Sequence, residues 1–553
     1  MPAPRRDPPA ARCLRLVAMD TAHRMTGQAR PRLEGPAKVA GTARYAMEYP
    51  VDGVTYAWPV VSPVARGVIV EVDDSAVGIV PGVLAVLWHE NAPRLSPGAD
   101  PDLLLLQGND VWYRGQIVAV VVAESLEVAR DAAHLLRITY RGGPGDTLLT
   151  PDHPALYRPE KVNAGYETDT DSGDFDGAFA ASPVRVDEVY STPAQHNAPM
   201  EPHAAMAVWE DGALTVYDAS QGTTTVRQTL AKLFGLPPDA VRVVAEHIGG
   251  GFGGKAFTRC PAVLAALAAR HVGRPVRLAL TRQQTFGPVG YRTPTIQRVR
   301  LGADLDGRMR CVAHDSITQT STIKEFAEQA ATYTRWMYAA PNRHTGHRVA
   351  RLDVPTPSIM RAPGETPGSF ALECAMDELA VACGVDPVEL RIRNEPDIDP
   401  AEDLPFSSRN LVACLREGAR RFGWEGRDPA PGARRDGRWL TGTGVAGCSY
   451  PARALPCNAS ARAQPDGTYA VAINATDIGT GARTALWQLA VDELDAPPER
   501  VTVHIGDSSL PPAVAAGGSV GTSSWGWAVT KACRELCERI RAAGGTVPPE
   551  ACP

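Results

Sequence analysis

Iron–sulfur spacing is missing from this chain. Its 11 cysteines are odd in number, contain no Cys-x-x-Cys pair and follow no disulfide framework. Any redox chemistry would therefore draw on electron carriers held elsewhere. Cys533 and Cys537 lie four apart beside Trp525, Val529 and Leu536, and read as core positions of one helical face. No apolar run approaches the ~20 residues of a membrane-spanning helix; Ile117 to Ala123 has the length of a buried strand. Arg5-Arg6 is followed by Asp7-Pro8-Pro9, where a secretory segment would need its apolar stretch, so residues 1–25 are expected to be a disordered lead-in. Neither charge dominates: a net charge of −6 gives no basis for a nucleic-acid surface.

What the chain does have is a globular composition, 44% hydrophobic and 21% charged over 553 residues, enough for roughly three or four domains. Its most telling stretch is Gly249-Gly250-Gly251-Phe252-Gly253-Gly254-Lys255, set between the β-branched run Val241 to Val244 and an alanine-rich helical segment. Glycines at a strand-to-helix turn let the backbone approach a ligand and aim N–H groups at an anion. A purely steric turn has no use for the phenylalanine, so the segment reads as a phosphate cradle that also offers a flat apolar surface. It formally matches a P-loop, but Ala256 follows where Ser or Thr should reach magnesium. It also matches a dinucleotide fingerprint, yet no acidic residue for a ribose occurs between Lys255 and Asp304. A nicotinamide dehydrogenase is therefore a disfavoured alternative.

Residues 26–145 read as one α/β unit, with strands Gly82 to Trp88 and Ile117 to Val122, a helix Ser125 to Leu136 and a strand Arg137 to Tyr140. Gly-, Pro- and Asp-rich residues 146–180 read as a linker, 181–423 as a second domain, 424–438 as another linker and 439–553 as a third domain. Helices are expected near 224–234, 261–271 and 369–383, with hairpin turns at Asp211-Gly212 and Asp306-Gly307. The last two domains contain an internal repeat. Gln228, Pro237, Pro238, Asp239, Val241 and Val243 recur as Gln488, Pro497, Pro498, Glu499, Val501 and Val503. Each copy reads strand, polar glycine turn, helix, Pro-Pro, strand, glycine-rich turn, helix. Two related domains with two anion-friendly turns each suit an extended, phosphate-bearing ligand clasped between them.

These residues resemble the molybdenum-binding large subunit of the xanthine dehydrogenase and aldehyde oxidase family. The likeness runs from Gly35-Pro36-Ala37-Lys38 through Tyr113-Arg114-Gly115-Gln116 and the Gly249–Lys255 loop. It continues through Met360-Arg361-Ala362-Pro363-Gly364-Glu365, Ala375 to Leu379, Asp477-Ile478-Gly479-Thr480-Gly481 and Gly517-Gly518-Ser519, ending near Glu535. The opening and the arginine loop look most like bacterial aldehyde oxidoreductases of the three-subunit, periplasmic type. The resemblance implies an α+β fold: an N-terminal α/β hammerhead domain, then two related mixed α/β molybdopterin-binding domains, the second incomplete.

It further implies a molybdenum ion held by molybdopterin, in the cytosine dinucleotide form and without direct side-chain ligands. The expected reaction is oxidation of an aldehyde or related electrophilic carbon with water as oxygen donor. Iron–sulfur (2Fe-2S) and FAD carriers are expected on partner subunits. The compartment expected is the cytoplasm, or the periplasm by export with a signal-bearing partner.

Carried over by motif, Gln221, Phe252 and Arg361 would surround the metal, with Gly222, Gly250, Gly251 and Gly253 beside them. Gly479, Thr480, Gly481, Ala482, Arg483 and Thr484, with Gly518, Ser519, Val520, Thr522, Ser523 and Ser524, would hold the pterin and pyrophosphate. Arg292, Pro363 and Tyr450 would face the substrate. Plainer readings stand beside these: Gln221 as a cap on Gly222, Arg361 as a solvated loop arginine, Arg292 as part of a charged strand with Arg298 and Arg300, and Tyr450 as a half-buried strand residue.

Two departures from the family pattern matter. Purine-oxidising members carry Glu after the loop lysine and an aromatic two residues after the loop arginine. Here these are Ala256 and Pro363, which disfavours a polar heterocycle. The family's base glutamate lies in a Gly-Glu motif well beyond the last glycine turn, and Gly364-Glu365 belongs to the earlier loop. The chain is thus expected to behave as a truncated subunit, inactive and poorly soluble when expressed alone.

Overall fold

A computed structural model describes residues 24–543, apart from Pro431 and Pro465. The lead-in expected over 1–25 lies outside the described residues except at its end, and there it is docked. Met25 is buried, and its N–H donates to Asp492 Oδ1 at 2.6 Å.

The hammerhead and the first repeat share a seven-stranded sheet. Its order is Val241–Val244, Ala213–Asp218, Ala204–Glu210, Val276–Ala279, Thr55–Val61, Ile117–Ala123, Val83–Leu87. The join is a parallel pairing in which Thr55 faces Val276, so the boundary expected at 145 does not divide the sheet. Ile117–Ala123 is buried along its whole length, as a β-branched run flanked by strands on both sides should be. Helix Cys260–Val272 is buried on all sides from Cys260 to Ala269. Its five alanines in that span leave the backbone free to lie close against the sheet.

A second sheet packs under helix Glu365–Cys383 and runs Thr170–Ser172, Asn342–Leu352, Met309–Ser321, Thr295–Ala303, Val184–Thr192. Its outer strand comes from the stretch expected to be a linker. Within 146–180, Thr170–Ser172 and Leu156–Tyr157 both pair with Asn342–Leu352, and Asp174 caps helix Phe175–Ala181 by accepting from Gly177 N at 3.0 Å. The glycine and aspartate there make turns and caps, not slack. The 424–438 stretch is likewise anchored at its start. Trp424 is buried, Arg427 lies 3.6 Å above its ring, and both donate to Asp386 Oδ2.

The repeat is visible as structure. A hairpin, Ala204–Glu210 with Ala213–Asp218, leads into helix Thr223–Phe234 and the parallel strand Val241–Val244. The second copy repeats this with Ser460–Ala463, Tyr469–Ala472, helix Ala482–Leu494 and the parallel strand Val501–His504. Each then reaches its glycine-rich turn and a helix, Cys260–Val272 or Gly521–Ala542. The copies meet edge to edge: Ala245 N donates to Gly506 O at 2.7 Å, and Arg242 pairs with Asp507 at 2.6 Å. That contact, with Ala516 bonded to Gln221, brings turns of both copies against one another.

Candidate functional site

Gln221 lies beneath the glycine loop and is only 1% exposed. Its Oε1 accepts from Gly253 N at 2.9 Å and Lys255 N at 3.2 Å, while Nε2 donates to Ala516 O at 2.5 Å. Its main-chain N–H donates to Lys255 O, and its carbonyl accepts from Ala516 N. One residue therefore joins the first turn, the glycine loop and the turn of the second copy. A Cβ on Gly251 would sit 2.4 Å from Gln221 Oε1, so this approach requires a residue without one.

The loop is held from its other side by the strap 195–203, which the sequence reading passed over. Asn197 Nδ2 donates to Phe252 O at 2.7 Å. Glu201 Oε2 accepts from Gly249 N at 2.9 Å and from Lys255 Nζ at 2.8 Å. His203 Nε2 faces Gly254 O at 3.1 Å, and burial drives the imidazole's pKa down to about 3, so it stands there as a neutral donor. The Lys255 side chain is 0% exposed and its ammonium is taken up by Glu201, which removes the P-loop reading on geometry. Burial pushes nearby Asp218 up to about 7, with Lys255 pulling the other way.

Phe252 itself has φ of +52° and a 41% exposed residue surface. Its carbonyl also accepts from Arg361 N at 2.9 Å. Among the described residues, the N–H groups of Gly250, Gly251 and Phe252 have no acceptor.

The Met360–Gly364 loop is held almost atom by atom. Arg292, expected against substrate, is 2% exposed and lies under this loop instead. Its Nη2 donates to the carbonyls of Met360 at 2.9 Å and of Arg361, and Nη1 to Gln195 Oε1 at 3.0 Å. Gln329 Nε2 donates to Pro363 O at 2.5 Å, and Glu328 Oε1 accepts from Gly364 N at 2.9 Å. Burial raises Glu328 to about 7 against the pull of Arg292, 3.5 Å away. The guanidinium of Arg361 is left exposed, without a partner among the described residues. Glu365 follows, buried, its carboxyl pKa raised by burial and its Oε2 unpartnered. Tyr450, Arg453 and Tyr166 lie within electrostatic reach of this group, and Tyr450 is half-exposed.

In the second copy, Asp477 occupies part of its own turn, accepting from the N–H groups of Gly479, Gly481 and Arg483 at 2.9–3.2 Å. Of the residues expected to hold the cofactor here, Thr480 is exposed, but Thr484 is buried and accepts from Leu33 N at 3.0 Å. The turn gains a cation that the sequence reading did not supply: Arg32 Nη1 donates to Gly479 O at 2.5 Å. The last turn is more open. Gly517, Gly518, Ser519, Gly521 and Thr522 have N–H groups without acceptors among the described residues, whereas Ser524 Oγ accepts from Leu455 N at 2.9 Å. A Cβ on Gly517 would meet nothing within 4 Å.

Main-chain N–H groups without acceptors thus stand on turns of both copies that Gln221 joins, beside a half-exposed aromatic ring and a free guanidinium. That set fits an oxygen-rich anionic group carrying a flat ring system. No cluster of three or more His, Cys, Asp or Glu side chains that could hold a metal ion occurs among the described residues.

Comparison with known proteins agrees with this arrangement. Residues 40–144 match the a/b hammerhead domain of aldehyde oxidase and xanthine dehydrogenase. Residues 157–395 and 417–552 match two molybdopterin cofactor-binding domains. The chain is 42% identical over 528 residues to the aldehyde oxidoreductase molybdenum-binding subunit PaoC of Escherichia coli K12, covering 95% of this chain and 71% of that protein. It is 29% identical over 506 residues to the putative xanthine dehydrogenase molybdenum-binding subunit XdhA of the same strain, covering 85% and 66%. Among solved structures, the aldehyde oxidoreductase of Desulfovibrio gigas superimposes with a TM-score of 0.78 at 25% identity, over 96% of this chain and 63% of that one. Quinoline 2-oxidoreductase of Pseudomonas putida 86 shares the fold, with a TM-score of 0.76 at 24% identity over 94% and 71%.

Proposed function

The chain belongs to the aldehyde oxidase and xanthine dehydrogenase family, and from that premise we propose that it is the molybdopterin-carrying large subunit of an enzyme oxidising aldehydes with water as oxygen donor. Gln221 carries the reading. Its side chain ties the Gly249–Lys255 loop to the Ala516–Ser524 turn, so that donors from both copies face a single ligand.

In this proposal the free N–H groups of Gly250, Gly251 and Phe252 line one side of the cofactor. Gly479 to Ala482 and Gly518 to Ser523 hold its pterin and phosphates, as the cytosine dinucleotide. When bound, the molybdenum–pterin group acidifies water and accepts the electron pair lost by the substrate carbon. The chain's own part is orientation and exclusion of water. Gln221 keeps one amide hydrogen for a ligand oxygen, Arg361 offers a free guanidinium, and Phe252 provides a flat wall. Arg292 acts on the Arg361 loop and not on substrate, an assignment that rests on its burial and its carbonyl partners.

Substrate class follows from what the cleft does not offer. Ala256 is a buried methyl where a purine would want an acceptor, and Pro363 supplies no aromatic face, which leaves the ring of Tyr450. An apolar aldehyde suits these surfaces better than a heterocycle lined with hydrogen-bonding groups. Electrons are proposed to leave to separate iron–sulfur and FAD subunits. The compartment proposed is the cytoplasm, or the periplasm by export with a signal-bearing partner.

The test is to produce the chain with its partner subunits in a host that assembles molybdopterin. Stoichiometric molybdenum, cytidine monophosphate released on acid treatment, and dye reduction driven by aldehyde in preference to xanthine are the expected results. Material without molybdenum, or a preference for xanthine, refutes the proposal.

A further inference from the structure

The loop that carries the free N–H groups is shaped by a residue outside it. One carboxylate oxygen, Glu201 Oε2, takes both ends of the loop, at 2.9 Å from Gly249 N and 2.8 Å from Lys255 Nζ. The Glu201 main chain adds two more ties: its N–H donates to Gly249 O at 3.1 Å, and its carbonyl accepts from Lys255 Nζ at 2.9 Å. The fit leaves no slack, because a Cβ on Gly249 would lie 2.4 Å from Glu201 Cβ. The ammonium is fully enclosed and the carboxylate nearly so, with side-chain exposures of 0% and 13%. Asp218 and Arg282 are the other charged groups in electrostatic reach of Lys255, and Arg282 is itself tied to the carbonyls of Pro199 and Met200.

We propose that Glu201 is the positioning residue that gives the glycine loop its curvature before any ligand arrives, with Lys255 as its counter-ion rather than as a phosphate ligand. With Gln221 holding Gly253 N and Lys255 N from the opposite face, the loop is left able to present only Gly250, Gly251 and Phe252 N–H to a ligand. Such preorganisation removes the ordering cost from the binding step. The inference rests on the proposed pterin site, so the test must separate the two.

Glu201→Gln keeps an acceptor for Gly249 N but sets an amide N–H₂ or a neutral oxygen against a buried ammonium. Three preparations of the full chain are compared with wild type: Glu201→Gln, Lys255→Met and the double variant. Each is assayed for pterin retained through gel filtration, for amide exchange at 249–255, and for the melting temperature of the cofactor-free protein. Glu201→Gln is expected to retain pterin about ten- to a hundred-fold more weakly, the scale of an outer-shell partner, with faster exchange confined to the loop. The double variant is expected to recover the melting temperature, since no lone buried charge remains, without recovering pterin retention. Glu201→Gln with wild-type retention overturns the inference. So does a double variant that recovers melting and retention together, because packing alone would then explain both. Wild type without any pterin would instead sink the proposed function.

Discussion

Exchanging Gln221 for Glu separates two jobs that one side chain performs. The substitution keeps the shape and leaves an oxygen where Gly253 N and Lys255 N now donate, at 2.9 and 3.2 Å. Nε2 is lost, and with it the 2.5 Å donation to Ala516 O across the boundary between the copies. A buried carbonyl stripped of its donor costs about 1–3 kcal/mol. A carboxylate at a position 1% exposed adds a desolvation cost that two N–H donors only partly offset. Gln221→Glu should therefore leave the Gly249–Lys255 loop in place while loosening the Ala516–Ser524 turn. Gln221→Ala strands three polar groups and should loosen both, at about 3 kcal/mol or more. Amide exchange resolved by peptide is the assay. In Gln221→Glu, protection should fall at 511–525 and hold at 249–256; in Gln221→Ala it should fall at both. Equal protection of 511–525 in wild type and Gln221→Glu would refute the claim that this amide joins the two copies.

Three further outcomes follow from the same geometry. Arg292→Lys should lower stability by about 3 kcal/mol, because a point charge cannot reproduce the fork that spans Gln195, Met360 and Arg361. Denaturant melts check this, and a raised KM with unchanged stability would restore Arg292 to the substrate. Gly251→Ala should collapse cofactor retention, its Cβ falling 2.4 Å from Gln221 Oε1, whereas Gly517→Ala meets open space and should change stability by less than about 0.5 kcal/mol. Stability should also peak near pH 6–7. His203, His314 and His347 are held neutral by burial, at about 3, 3 and 4, so the unfolded chain gains protons that the fold cannot accept once pH drops below about 6.5.

On the alkaline side, His344 is raised to about 9 chiefly by its bond to Asp315, while Asp218 and Glu328, raised by burial to about 7, act lower, between about pH 4 and 7, where they offset part of the histidine limb. Stability present below their unfolded values is lost as pH rises through these folded ones. A melting temperature flat from pH 5 to 9 would contradict both limbs.

Local pattern was enough for the elements and for the duplication. Val241 to Val244, the alanine helix after it and the Asp211-Gly212 turn stand where periodicity and turn chemistry put them. The glycine loop was legible because five glycines and one aromatic are unusual at any turn. What holds that loop was not. Asn197, Glu201 and His203 reach it across some fifty residues of sequence, and in the chain they are merely polar positions among prolines. Arg292 is expected from motif against substrate, with a charged strand beside Arg298 and Arg300 as the plainer reading, and only the carbonyls that cross over it from the Met360 loop reveal its place. Within 146–180, glycine and aspartate mark caps and turns as readily as slack, which composition alone does not separate.

The two copies show why a repeat fixes less than it promises. Asp218 and Asp477 each stand five residues ahead of their helix, at the same point of the duplicated turn. Asp477 turns into its own loop and accepts three N–H groups. Asp218 lies buried beside Lys255 and Glu201, and its carboxyl is pushed up to about 7. Motif preserves the turn, while function depends on which partners pack against it. In the first copy these are the strap 195–203 and the Ala516 turn, which seal the loop from behind. In the second, Arg32 is the only cation bonded to the main chain of the Gly479–Gly481 turn among the described residues, and the face beyond it stays open. A pair of equivalent corners thus becomes one anchored wall and one open edge.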